Sequence, residues 1–240
     1  WLPERSARWV MVADQARMKR ATNYFSWQAR LAMEQMGRRV IEIGCGLGNF
    51  TQHLLDRDLV IGIDVVEDCL TELRVRYPGR ANLQTYRLDV QDPRFRELKR
   101  HRADTVVCLN VLEHVRDDRL ALVNIFDVLE PSGHAIFILP AFESLYGPID
   151  RNLGHFRRYS KGHWGELAQS AGFRLTSSRY INSIGCIAWW VNAKVLRRTE
   201  QSEGQIALFD SVVVPVLSRL ERAIEPPFGQ SIVTVLQKPT

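Results

Sequence analysis

Residues 40–50 read Val-Ile-Glu-Ile-Gly-Cys-Gly-Leu-Gly-Asn-Phe, a β-branched run that breaks into three alternate glycines, Gly44, Gly46 and Gly48. Glycine lets a backbone turn sharply and approach a ligand closely, and this loop falls where a strand hands over to a helix, the place at which α/β folds bind ligands. Glu42 stands two residues before the first glycine. A carboxylate there repels a pyrophosphate and suits a positively charged amino or sulfonium group. The G-x-G-x-G spacing brings the third glycine one place earlier than the G-x-G-x-x-G dinucleotide fingerprint. Asp64, 20 residues after Gly44, closes the next apolar run, where its oxygens can accept both hydroxyls of a ribose and would repel a 2′-phosphate. Asp89-Val90 ends a third run, placed for an adenine amino group and edge, and Asn110 ends a fourth.

These groups act together only if strands and helices alternate. Short β-branched runs over 39–44, 59–64, 83–90, 103–110 and 134–139 predict five strands. Between them, 50–56, 65–77 and a segment opened by an Asp117 cap and ended by Pro131-Ser132-Gly133 read as helices. Strands buried on both faces and separated by helices mean a parallel sheet of βαβ units. Residues 1–38 form a helical preface carrying Trp9, Val10, Val12, Ala13 and Ala16, then Phe25, Trp27, Leu31 and Met33. Dinucleotide folds open instead with the glycine-loop strand. After Pro140 comes a glycine- and aromatic-rich stretch, 141–159, which reads as a long functional loop. A helix capped by Ser160, a strand over 173–181, two helical stretches in 184–222 joined by polar 199–205, and a last strand at 231–237 complete the chain. Pro215 is expected to kink or end the second of those helices. The domain reading is a helical lid segment (1–38), an α/β core (39–182), a helical insertion (183–229) and the last strand of the core sheet (230–240).

The chain of 240 residues has 45% hydrophobic and 25% charged residues, the proportions of a folded globular protein and not of a disordered tail, a collagen-like rod or a disulfide-stapled miniprotein. The net charge of +5 sits in residues 1–39, where Arg5, Arg8, Arg17, Lys19, Arg20, Arg30, Arg38 and Arg39 face only Glu4, Asp14 and Glu34. The rest of the chain sums to zero, which argues against a general nucleic-acid-binding face. Cys45, Cys69, Cys108 and Cys186 form no C-x-x-C pair; reduced thiols in a cytoplasmic protein are the expectation. No cluster at metal-ligand spacing is visible beyond the strand-end carboxylates, and no metal is expected.

The glycine loop and the ordered strand-end groups resemble the class I S-adenosylmethionine-dependent methyltransferases over about residues 39–182 plus the final strand. The resemblance implies a Rossmann-like, seven-stranded, mostly parallel sheet with an antiparallel last strand. It implies S-adenosyl-L-methionine as cofactor and S-adenosyl-L-homocysteine as product. Glu42, Gly44 and Gly46, with Cys45 and Gly48, would line the methionine part, Asp64 and Val65 the ribose, Asp89 and Val90 the adenine, and Asn110 the space beneath the sulfonium. Tyr24 resembles the N-terminal aromatic that closes over the cofactor, or is a packed core aromatic.

Methyl transfer from a sulfonium is an in-line displacement, so the protein must align a nucleophile and exclude water; a hydroxyl nucleophile also gains from a base near neutral pKa. His155 lies in Tyr146-Gly-Pro-Ile-Asp150-Arg-Asn-Leu-Gly-His155-Phe-Arg157-Arg158-Tyr159, which resembles the D-x-x-L-G-H-x-R-R-Y stretch of one bacterial branch of this family. There His155 is a candidate base, Tyr159 a catalytic or substrate contact, and Tyr146, Asp150, Arg157 and Arg158 acceptor-binding residues. The two arginines can clamp an anionic acceptor, or Asp150–Arg pairs can simply knit the loop to the sheet. His114, after the fourth strand, is either catalytic or a structural tie. His53, His101, His134 and His163 read as surface residues. The expected reaction is methylation of an O or N atom of a small or medium-sized acceptor of secondary-metabolite, lipid or glycan type. The missing Asn/Asp-Pro-Pro-Tyr/Phe turn after Asn110 and the missing Pro-Cys pair disfavour nucleic acid as acceptor. A nicotinamide oxidoreductase and a non-catalytic cofactor-binding module are the alternatives. Trp189 and Trp190 beside Lys194, Arg197 and Arg198 leave three roles open for the insertion: a lid, a homodimer contact, or peripheral contact with the inner face of a membrane.

Overall fold

The computed structural model describes residues 5–200 and 202–240, with side chains from Val12 onward. Residues 1–4 of the helical preface, the side chains of Trp9 and Val10, and those of Glu4, Arg5 and Arg8 lie outside the described residues. Seven strands form one sheet: β1 (Arg39–Ile43), β2 (Leu59–Asp64), β3 (Leu83–Arg87), β4 (Ala103–Leu109), β5 (Leu129–Pro140), β6 (Arg174–Ile181) and β7 (Ser231–Gln237). Their order is β3-β2-β1-β4-β5-β7-β6, with β7 antiparallel to both its neighbours and the first five strands parallel. This is the Rossmann-like methyltransferase arrangement expected from the resemblance.

The sequence explains the layering. In β1, Val40 to Ile43 are all buried, so both faces of the strand are covered. Polar, half-exposed side chains mark β3 and β6 as the edges. Ile41, Ile61, Val106, Phe137, Phe95 and Trp164 are buried in the core on one face. Ala29, Ala32, Phe50, Val60, Val107 and Ile136 fill the other, where α2 (Thr22–Met33) closes the sheet. The chain reverses direction across the sheet between β1 and β4, so the carboxyl ends of those strands border the crevice where α/β sheets take ligands.

Four local expectations are corrected. Residues 50–56 hold only a single 3₁₀ turn, Thr51–His53, flanked by Phe50 and Leu54, which are buried against the sheet, and the Thr51 hydroxyl is spent on Glu42. Pro131-Ser132-Gly133 does not separate helix from strand: α4 (Asp118–Val128) ends at Val128, and β5 runs through these residues, with Ser132 at φ 63° taking up the irregular register against β4. The 141–159 stretch is ordered around α5 (Pro148–Leu153) and an Ala141–Tyr159 bridge. Pro215 does not break its helix. A π turn at Phe209–Val213 lies between α8 (Glu203–Leu208) and α9 (Val214–Ala223), placing Pro215 in the first turn of α9, where its missing N–H costs little.

The remaining helices are α1 (Arg5–Met18), α3 (Glu67–Arg76), α6 (Lys161–Ser170) and α7 (Ser183–Trp190), which continues as a π turn over Val191–Val195. Ser160 caps α6 by accepting from the His163 amide, and Asp117 caps α4 through the Leu120 amide. The start of α2 receives no such group from Ala21. Asp210, 187 residues from Asn23, supplies it instead, its carboxylate accepting the Asn23 and Tyr24 amides at 3.2 and 2.8 Å.

Candidate functional site

The first turn of the site follows from glycine sterics. Gly44 leaves β1 at φ 71°, and a β-carbon there would collide with Val111. Val111 follows Asn110, which itself sits at φ 52° as β4 ends. Asparagine tolerates this left-handed backbone better than most residues. The two strand ends therefore turn away against each other, and both border the same hollow.

That hollow is a cavity of about 570 Å³ bordered by Glu42, Gly44, Cys45, Asp64, Val65, Asp89, Val90, Asn110 and, from the preface, Tyr24. Asp64 fixes the glycine loop: Oδ2 accepts the Gly46 amide and Oδ1 the Val66 amide, both at 2.9 Å. Burial raises its pKa despite those bonds. Glu42 is 4% exposed and accepts a 2.6 Å hydrogen bond from the Thr51 hydroxyl. Burial, with Asp64 nearby, lifts its pKa to about 8 against the Thr51 bond. A carboxyl so placed is primed to regain its charge beside a cation. Burial also raises the Tyr24 pKa, its hydroxyl meeting the side chains of Ser231, Gln28 and Asn182. Gly46 and Gly48 do not border the cavity: Gly46 serves through its amide, and Gly48 at φ 78° lets Leu73 pack against the loop.

His114 and His155 are the two of the six histidines that border the cavity. Their rings meet edge to face at 4.7 Å. Burial drops the His114 pKa to about 3, so this ring is neutral and a weak proton acceptor. His155 differs, because its Nδ1–H donates to Asp150 Oδ1 at 2.8 Å, which leaves Nε2 as the acceptor. Asp150 is fully buried and also accepts Arg158 Nε at 2.8 Å and the Gly147 amide at 2.9 Å. Burial works against its charge, but the His155 bond and the Arg158 guanidinium outweigh it and hold its carboxyl below the usual range.

The arginine clamp expected from Arg157-Arg158 is not formed. Arg158 borders the cavity, yet it is held by Asp150 and the Ala141 carbonyl and lies over the Trp189 ring at 4.6 Å. Arg157 points elsewhere, pairing with Asp118 at 2.7 Å and donating to the Arg116 carbonyl. Tyr159 is fully buried and bonds the Leu112 carbonyl and Asp118, so it ties α4 to the loop and does not border this cavity. Tyr146 donates to the His155 carbonyl at 2.7 Å and, like Asp150, supports the loop from behind.

Glu113 was missed by residue-by-residue reading. It is 1% exposed, its Oε2 has no hydrogen-bond partner, and burial lifts its pKa to about 7. Glu113, His114 and His155 bring one ligand-type atom each within 4.8 Å of one another. This corrects the expectation that no such cluster exists, since a carboxylate and two imidazoles can hold a divalent cation. Position 113 next to His114 was the available signal; its nearness to His155 was not, because 41 residues separate the two segments. Asp14, Gln15, Gln28, Asn49 and Asp210 also border the cavity without a sequence motif to announce them.

Comparison with known proteins gives the family and the fold. The family described as "Methyltransferase domain" matches residues 14–178. A probable S-adenosylmethionine-dependent methyltransferase of Mycolicibacterium smegmatis is 32% identical over 151 residues, 61% of this chain and 56% of its own. A ubiquinone biosynthesis O-methyltransferase of Alkalilimnicola ehrlichii is 32% identical over 109 residues, 42% of this chain and 41% of its own. These matches thus span roughly half of each relative's length. Among solved structures, N-methyltransferase NodS of Bradyrhizobium japonicum, in complex with S-adenosyl-L-homocysteine, superposes with a TM-score of 0.58 at 15% identity over 90% of this chain and 86% of its own. A chain from the complex of the Haloferax volcanii Trm112 methyltransferase activator reaches 0.68 at 16% identity over all of both chains.

Proposed function

The chain belongs to the class I S-adenosylmethionine-dependent methyltransferase family, and from that premise we propose that it transfers the sulfonium methyl group to an oxygen or nitrogen of a small or medium-sized organic acceptor. The observation that carries the reading is the convergence of Glu42, Asp64, Asp89 and Asn110, from four successive strand ends, on one cavity beside the glycine loop. No phosphate-binding group stands among them.

In this reading Glu42 faces the methionine ammonium, with Gly44 and Cys45 giving backbone approach. Asp64 and Val65 take the ribose, Asp89 and Val90 the adenine, and Asn110 lies under the sulfonium. Tyr24 and the 1–38 segment close over the cofactor, and the 183–229 insertion walls the acceptor side. His155 Nε2 accepts the proton of a hydroxyl acceptor as the C–S bond breaks and the new bond to carbon forms, or takes the proton of an ammonium acceptor beforehand so that the neutral amine attacks; the sulfur leaves with its electron pair as the neutral thioether. Asp150 positions that imidazole, stabilising it once protonated. His114 holds the loop and stays neutral. The surrounding Trp189, Phe209, Val213 and Val214 favour an acceptor with apolar surface, as does the O-methyltransferase relative named for ubiquinone biosynthesis.

Labelled-methyl transfer from S-adenosyl-L-methionine into a cell extract tests the proposal. Radioactivity entering an organic-extractable compound, and lost with His155→Ala while cofactor affinity holds, is the expected result. Cofactor binding without transfer to any acceptor would instead leave a non-catalytic binding module.

A further inference from the structure

Of the 14 large hydrophobic residues that the described surface exposes, 11 fall within 184–228. They are ordered. Along α8, the π turn and α9, Leu208, Val212, Val216, Leu220 and Ile224 recur every fourth residue and are 56–74% exposed. The buried positions of the same stretch, Ile206, Asp210, Val214, Leu217, Ser218 and Glu221, alternate with them along the sequence. This helical stretch thus exposes an apolar stripe besides the face that it buries. Val214 and Leu217 pack on the sheet, and an exposed apolar stripe of this length marks an interaction surface. Ile184, Ile187, Trp190 and Val195 run along α7 and its π turn in the same exposed fashion. Glu221 joins the two helices by accepting the Asn182 and Ser183 amides at 2.8 Å.

Charge says what covers this face. The exposed carboxylates of the insertion are already answered by cations from elsewhere: Glu200 by Arg17, Glu203 by Arg20 and Glu225 by Lys161. Its own cations meet only neutral groups, Lys194 the Tyr146 carbonyl and Arg198 the Gln205 side chain. Arg197, Arg219 and Arg222 have no acidic partner among the described residues. An apolar stripe flanked by uncompensated cations complements an anionic lipid surface, whose chains take the side chains and whose headgroups take the charges. A second copy of the same face would instead oppose like charges. No helix of the described residues is long and apolar enough to cross a membrane, so contact is interfacial.

We propose that the 184–224 face seats on an anionic bilayer. The same two helices line the cavity with Ala188, Trp189, Phe209 and Val213 on their inner side, so only one helix layer separates the bilayer from the site. The proposal rests on the exposed face alone and stands whether or not the cavity performs methyl transfer.

Vesicle co-sedimentation tests it, using the full chain with vesicles of phosphatidylcholine alone or mixed equally with phosphatidylglycerol. The protein is expected to pellet with the anionic vesicles and to be released by high salt. The double substitution Val216→Gln with Leu220→Gln, both outside the cavity lining, should weaken binding about tenfold or more. Arg219→Gln with Arg222→Gln should abolish the preference for anionic over neutral vesicles, with thermal melting showing that each variant stays folded. Wild-type protein remaining in the supernatant with both vesicle types overturns the proposal. So does a micromolar dimer in sedimentation equilibrium that Leu220→Gln dissociates, which would assign the face to a second copy.

Discussion

Removing the Asp150 carboxylate strikes a buried charge that holds together one wall of the site. Three donors converge on it: Arg158 Nε and His155 Nδ1 at 2.8 Å and the Gly147 amide at 2.9 Å. The Arg158 side chain is 1% exposed and Asp150 0%, so water cannot replace the lost acceptor. Stranding one member of such a pair costs about 3–5 kcal/mol. Asp150→Ala should therefore lower the melting temperature by about 10 °C in a domain of this size. Asp150→Asn can keep an acceptor for the Gly147 amide on Oδ2, but its NH2 then meets Arg158 Nε–H and His155 at the Oδ1 position; about 3 kcal/mol is the expected cost. The asparagine also stops holding His155 with Nε2 as acceptor, so turnover should fall ~100-fold or more while S-adenosyl-L-homocysteine affinity stays within about threefold. Urea unfolding, calorimetry and a pH–rate profile on the same samples separate the two effects. Full turnover with an unchanged pH profile in Asp150→Asn would refute the role given to His155. An unchanged melting temperature in Asp150→Ala would refute the buried ion cluster itself.

Other outcomes follow from the same geometry. Glu42 keeps its proton to about pH 8 when folded and releases it near pH 4.3 when unfolded. The folded state thus holds the extra proton between those values, and the Glu42 contribution to the stability of the unliganded protein should fall as pH rises from about 4.5 to about 8 and level off above. Urea midpoints across that range should show a weaker slope in Glu42→Gln. Glu113, whose pKa of about 7 acts with the same sign, contributes the fall that remains toward pH 7, while His114, with its pKa of about 3, opposes it below about pH 6.5. Asp64→Asn, gentler on the loop than alanine because one of the Gly46 and Val66 amides keeps an acceptor, should weaken S-adenosyl-L-homocysteine binding by about 1–3 kcal/mol in calorimetry. Asp210→Ala removes the acceptor for the first amides of α2; hydrogen exchange there should quicken by the equivalent of about 1–2 kcal/mol, with β4 and β5 unaffected.

The cofactor side of the molecule was legible because its information is local. Strand, glycine turn and terminal carboxylate lie within a few residues of each other, and β1, β2 and β4 fall within a residue of where their β-branched runs place them. Asp64 and Asp89 border the cavity because strand ends in a parallel sheet share one edge. The acceptor side was less legible because it is assembled from distant segments. Position in the sequence gave Arg157 and Arg158 equal standing, but neighbours facing opposite sides of the chain reach different partners, Asp118 and Asp150. Tyr159 looked chemical by type and proved to be packing, since its hydroxyl is spent on Leu112 and Asp118. Glu113 looked incidental until folding placed it beside His155. Pro215 shows the remaining failure: a helix breaker by local rule is accommodated by a π turn that no propensity signals.

Calorimetric titration of the unliganded protein with S-adenosyl-L-homocysteine, and in parallel with NAD, tests the central claim most directly. Carboxylates around an alternate-glycine loop should give saturable one-to-one binding of the first and no heat with the second. Saturable NAD binding, with S-adenosyl-L-homocysteine inert, would contradict it.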